Sequence, residues 1–134
     1  MVEVNNLNLL RGSMTNFVYI FGVIFFTVYG QLVVKWQVAR AGAFPNSFSE
    51  KVIFLTHLVL NPWVFSGIGA GFLALLCWLA ALTKFELSYA YPFMSLAFVL
   101  VLILSALLFH ETVTAAKVLG LLLVTAGIIV ASRG

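Results

Sequence analysis

The chain has 134 residues, of which 63% are hydrophobic and 8% charged, and its mean hydropathy is +1.15. A soluble domain carries about 25% charged residues, and a globule this small exposes too much surface for so few polar groups to coat. An ordinary soluble domain is thereby excluded, and the formal net charge of +3 reads as orientation or contact with anionic headgroups at a membrane, with no nucleic-acid partner expected.

The gaps between charges set the elements. Arg11 to Lys35 encloses 23 uncharged residues, Lys51 to Lys84 encloses 32, Glu86 to Glu111 encloses 24 and Lys117 to Arg133 encloses 15. A spanning helix needs about 20 apolar residues, so four spans are predicted: Met14–Val34, Pro62–Leu82, Leu87–Phe109 and Val113–Ala131. The fourth is long enough if Lys117 snorkels toward the headgroups. The fold class is an all-α membrane protein, a four-helix bundle in one domain over residues 14–134, preceded by a polar, mobile tail over 1–13. Spans two and three, and spans three and four, are joined by short hairpins.

Residues 41–61 form the one long connection. Ser47–Phe48–Ser49–Glu50 has the capping-box pattern, and Phe48, Val52, Leu55 and Val59 follow at helical spacing. This predicts either a short helix lying at the interface or an early start to the second span. Pro62 suits a helix start, and Trp63, Tyr89 and Tyr91 suit interfacial anchoring. Gly67 and Gly71 in the second span, and Ala116, Gly120 and Gly127 in the fourth, mark faces that let helices approach closely.

Polar residues inside apolar spans carry the functional signal. Thr27, Gln31 and Lys35 stand four apart and share one helix face. A polar stripe in lipid is costly and faces a bundle interior or a wet cavity, although Lys35 also suits a plain helix end. At the start of the third span Pro92 favours an irregular first turn, and Tyr91 and Ser95 lie one turn apart. Glu111 reads either as a charge at the start of the fourth helix or as the partner of Lys117 or Lys35 at a cavity mouth. The candidate substrate-binding residues are Lys35, Gln31, Arg40, Tyr91, Ser95, Glu111 and Lys117. No acidic residue lies within the first span, the middle of the second, or the third before Glu111, which disfavours a proton-coupled exporter of cationic drugs. Cys77 is the only cysteine and the two histidines are 53 positions apart, so no metal site, disulfide or cofactor is expected. No nucleophile–base pair or phosphate loop appears, so the chain does not read as an enzyme.

The residues Ser88–Tyr89–Ala90–Tyr91–Pro92 with Ser95–Leu96, then Phe109–His110–Glu111–Thr112 with Gly120 and Gly127, resemble a segment of the EamA-like drug/metabolite transporter superfamily. Within it, Gly30–Gln31–Leu32 with Lys35, Ala90–Leu96 and His110–Glu111 are most similar to the small four-helix subunits that flip undecaprenyl-phosphate-aminoarabinose. The resemblance covers residues 30–39 and 73–132. It implies a multi-pass subunit in the bacterial inner membrane that moves a polyprenyl-phosphate-linked sugar, or a related anionic lipid, between leaflets. Lys35, Arg40 and Lys117 would serve the phosphate, and Gln31, Tyr91 and Ser95 the uncharged head. Four helices are few for a large headgroup, so a homodimer, or a heterodimer with a sister four-helix subunit, is expected. A small multidrug-type exporter and a non-transporting membrane partner of a glycosyltransferase remain alternatives. Charge does not orient the chain: three basic residues fall on one side and four on the other. The resemblance implies cytoplasmic termini.

Overall fold

The structure is a computed structural model that describes the backbone of residues 2–134. It is helical almost throughout, in the order α1 (Val2–Ala41), α2 (Phe48–Leu60), α3 (Pro62–Leu82), α4 (Leu87–Phe109) and α5 (Ala115–Arg133). Four stretches are long and apolar enough to cross a membrane: Ser13–Ala41, Pro62–Leu82, Leu87–Phe109 and Ala115–Arg133. The expected all-α bundle of four spans, with a short helix between the first and second, is therefore present. Met1 and most side chains of the polar segment over 1–13 lie outside the described residues; its backbone from Val2 continues α1.

The first helix begins at Val2 and not Met14, and the last ends at Arg133 and not Ala131; two further boundaries differ from expectation for local reasons. The first helix does not stop at Val34 but continues to Ala41. Trp36 there packs edge-to-face on Trp63 of α3 at 5.5 Å, and the Arg40 guanidinium lies 5.1 Å from the Trp36 ring, so the added turns are held by ring contacts. The fourth span starts at Ala115 because Thr114 takes the N-cap, its hydroxyl accepting from the Lys117 N–H.

The other ends behave as their residues suggest. Ser47 caps α2, accepting from the Glu50 N–H at 3.4 Å. The Asn61 side chain caps α3, accepting from the Trp63 N–H at 2.9 Å, with Pro62 in the first turn. The α3–α4 turn is closed by backbone bonds from Lys84 and Phe85 to the Ala81 carbonyl.

The core is small because lipid takes the outer face of each span. Ile20, Ile24 and Val28, four apart on α1, pack with Ala81 and Ala97. Phe17 closes one end against Phe85 and Phe93, at ring separations of 5.1 and 5.7 Å. Small residues set the closest crossing. A Cβ on Gly30 would sit 3.0 Å from the Gly67 carbonyl oxygen, so α1 and α3 approach as only glycines permit. Gly71, Gly120 and Gly127 meet nothing within 4 Å. α3 packs chiefly on α1, α4 on α1 and α5, and α5 on α4 alone. α3 and α4 touch little despite their short turn, and none of α5 is buried.

Candidate functional site

The splay between α3 and α4 opens a cavity of about 600 Å³ lined from four helices. Val23 and Thr27 come from α1, Gly71 and Trp78 from α3, Tyr91 and Met94 from α4, and Val124 from α5. A second space of about 600 Å³ runs along α1 and α3, lined by Thr27, Gly30, Gln31, Lys35, Gly67 and Gly71. The two share Thr27, Gly71 and Ala74, so they adjoin along the α1–α3 crossing as the two halves of a groove. Each half falls in the size range of small-molecule sites, roughly 300–1,000 Å³.

The predicted α1 stripe lines this groove. Thr27, Gln31 and Lys35 descend one wall over roughly 12 Å, at 1.5 Å of rise per residue. The groove is mostly apolar, and Lys35 is the one charged residue lining it among the described residues. Tyr91 lines the inner half, its ring edge-to-face with Trp78 at 5.8 Å. Gly71 has open space where a side chain would stand, on the border of the two halves.

Lys35 meets Glu111 at the mouth, Nζ to Oε1 2.8 Å. The backbone explains this meeting. His110 ends α4 in the left-handed region at φ 54°, ψ 33°, a reversal that His tolerates better than most residues. The chain turns back there, and Glu111 reaches the wall of α1. Hydrogen bonding to Lys35, then the charge of Lys35, holds the Glu111 carboxyl below its ordinary range, and the charge of Lys117 adds to this. Lys35 and Glu111 are 53% and 37% exposed in their side chains, so the pair is accessible to an exchanging ligand. Glu111 thus sits in an ion pair and does not cap α5, whose cap is Thr114.

The other candidates are dispersed. Ser95 is buried and donates to the Pro92 carbonyl at 2.5 Å, so its hydroxyl is spent within α4. Lys117 is exposed and donates from Nζ to the Thr112 carbonyl at 2.9 Å; it stiffens the turn that carries Glu111. Arg40 lies on another face of α1 and lines a separate cavity. Trp78, absent from the candidates, lines the groove; its only sequence signal was a large aromatic within a span. Gln37 was also missed. It is buried and accepts from Asn61 Nδ2 at 3.4 Å, legible only once α1 is extended past Val34.

Comparison with known proteins agrees with this architecture. The chain is 33% identical over 119 residues to the "Probable 4-amino-4-deoxy-L-arabinose-phosphoundecaprenol flippase subunit ArnF" of Aeromonas hydrophila, covering 87% of this chain and 79% of that relative. It is 33% identical over 122 residues to the like-named ArnF of Photorhabdus laumondii, covering 86% and 96%. Identity is 40% over 78 residues to the like-named subunit ArnE of Pseudomonas aeruginosa, covering 58% and 68%. No solved structure matches the chain. The model of the EamA-like transporter family matches residues 13–133, from the start of the first apolar span to the end of the last, and the chain belongs to that family.

Proposed function

We propose that the protein is a subunit of a flippase that moves a polyprenyl-phosphate-linked sugar across the bacterial inner membrane. The observation that carries this reading is the groove itself: a mostly apolar space whose one lining charge among the described residues is Lys35, paired with an exposed, exchangeable carboxylate. A lipid phosphate entering the mouth takes the place of Glu111 on Lys35. The hydroxyls of the sugar then meet Gln31, Thr27 and Tyr91, and the polyprenyl chain stays among the lipid-facing apolar residues. The printed names of the relatives describe an amino sugar on a phosphate. Such a headgroup carries both charges and engages both halves of the pair, phosphate on Lys35 and ammonium on Glu111.

A sister four-helix subunit completes the path. α5 packs on α4 alone and buries none of its residues, which leaves it a face for a second bundle. The test is lipid movement in vesicles containing the protein with and without a sister subunit, using polyprenyl-phosphate lipids of defined headgroup. Lys35→Ala is expected to abolish movement at equal insertion. Normal movement by Lys35→Ala would reduce Lys35 to an interfacial anchor and remove the reading.

A further inference from the structure

A third cavity, of about 310 Å³, lies where the end of α1 meets α2 and the start of α3. Gln37, Arg40, His57 and Asn61 line it, with Phe54 and Leu58 as its apolar wall. Arg40 is five residues beyond Lys35, roughly 140° around the helix at 3.6 residues per turn, so the two cations serve different faces of α1. None of the lining residues is acidic, and among the described residues Arg40 has no carboxylate partner.

The polar groups of this cavity are donors left over. Gln37 is only 7% exposed. Its oxygen is taken by Asn61, and its amide nitrogen has no protein partner among the described residues. The Arg40 guanidinium carbon lies over the Trp36 ring, 5.1 Å from its centroid, and the side chain is exposed, so its N–H groups can meet a ligand. His57 adds a ring nitrogen. A guanidinium, the Gln37 amide and the His57 ring line one space that no carboxylate enters, a lining that fits an anion. Two further facts place that anion in the bilayer interface. The cavity sits at the membrane end of α1 and α3, beside the Trp36–Trp63 pair, where indoles settle at headgroup depth. α2 also exposes Phe48, Val52, Ile53, Leu55 and Val59, a surface suited to the acyl boundary.

We propose that the Gln37–Arg40–His57 cavity is a second lipid site, which holds the phosphate of an anionic lipid and moors α2 to the interface. It does not rest on the transport reading, because it shares no lining residue with the Lys35 groove. The phosphate has two sources, a bilayer phospholipid or a polyprenyl phosphate, and both can be offered. Native mass spectrometry of the full chain in mild detergent would count retained lipids, with phosphatidylglycerol, undecaprenyl phosphate and phosphate-free diacylglycerol titrated separately. In a Lys35→Gln background, which removes the cation of the transport groove, the chain and its far-side control Lys84→Gln should each retain one phosphate-bearing lipid, and adding Arg40→Gln should weaken its hold about tenfold, as befits loss of one charge-assisted hydrogen bond. His57→Gln should weaken it less, and Arg40→Lys should restore part of the loss. Retention of phosphatidylglycerol with this pattern assigns the site to bilayer lipid; the same pattern with undecaprenyl phosphate alone assigns it to the polyprenyl class. Unchanged retention of both phosphate lipids on adding Arg40→Gln, or equal retention of diacylglycerol without it, overturns the proposal. Arg40 is exposed but also rests on Trp36, so circular dichroism of each variant checks that the end of α1 stays helical.

Discussion

Replacing Glu111 with Gln separates two roles that the ion pair could play. If the carboxylate only orients Lys35, its loss weakens every ligand. If it occupies the site that a phosphate later takes, its loss frees the cation. The geometry favours occupancy: the two groups touch at 2.8 Å, and both side chains are more than a third exposed. Exposed ion pairs shift equilibria by at most about fivefold, so Glu111→Gln should leave thermal stability nearly unchanged. The freed Lys35 should then bind undecaprenyl phosphate, which carries no amine, up to about fivefold more tightly. An amino-sugar headgroup should respond in the opposite direction, because its ammonium loses the Glu111 carboxylate, and the preference between the two lipids should fall or reverse. Lys35→Gln should weaken both. Equilibrium binding of the two radiolabelled lipids to wild type and to each variant reads all six values. Weaker undecaprenyl-phosphate binding by Glu111→Gln, in step with Lys35→Gln, would refute the exchange and make Glu111 an orienting group.

The lowered Glu111 pKa sets a pH window. The ion pair is fully present above the ordinary carboxylate value of 4.5 and is lost as pH falls below it through the lowered value; the difference in phosphate-lipid affinity between wild type and Glu111→Gln should therefore be constant from pH 8 to pH 5 and shrink in stronger acid. Gly30→Ala should destabilise the bundle by about 1–3 kcal/mol in a denaturation series, because its Cβ would stand 3.0 Å from a backbone oxygen that cannot rotate away. Gly71→Ala, with nothing within 4 Å, should keep full stability while narrowing the groove, read as slower lipid movement. For orientation, Ser47→Cys but not Ser13→Cys, each with Cys77→Ser, should react with an impermeant reagent from outside intact cells; equal labelling of both would show dual insertion, and labelling of Ser13→Cys alone the inverse orientation.

The spans were legible because length and composition decide them in lipid. Pro62 and the short Thr83–Glu86 turn even placed the ends of α3 and α4. The end of α1 was not legible: Lys35, Gln37 and Arg40 lower the local hydropathy and look like a loop, while the Trp36–Trp63 contact that keeps them helical is tertiary. The stripe Thr27–Gln31–Lys35 was readable from spacing alone, and so was the choice of Lys35 or Lys117 for Glu111, but not its outcome. That outcome depends on a left-handed residue at His110 that nothing local announces. Ser95 failed in a different way. One turn from Tyr91, it looked like a second polar group for the same cavity, but a serine hydroxyl inside an apolar helix can bond its own preceding turn, and here it does so at Pro92.

The sign of the groove also bears on the cation-exporter alternative. Exchange of a proton for a cationic drug needs a carboxylate inside the membrane whose two states bind the two cargoes in turn. Here the groove wall carries an ammonium group, with an amide one turn deeper at Gln31 and a hydroxyl beyond it at Thr27. The nearest carboxylate, Glu111, lies in the turn after α4 and is already matched to that ammonium. A cation entering the mouth must displace Lys35 from Glu111 and then pass a free positive charge in a mostly apolar channel, where charge is least screened. An anion displaces Glu111 and meets the opposite charge. On the proposed reading the same two residues oppose one class of cargo and admit the other, and a headgroup bearing both signs leaves neither partner uncompensated. Such a headgroup has the least desolvation left unmatched as it leaves water.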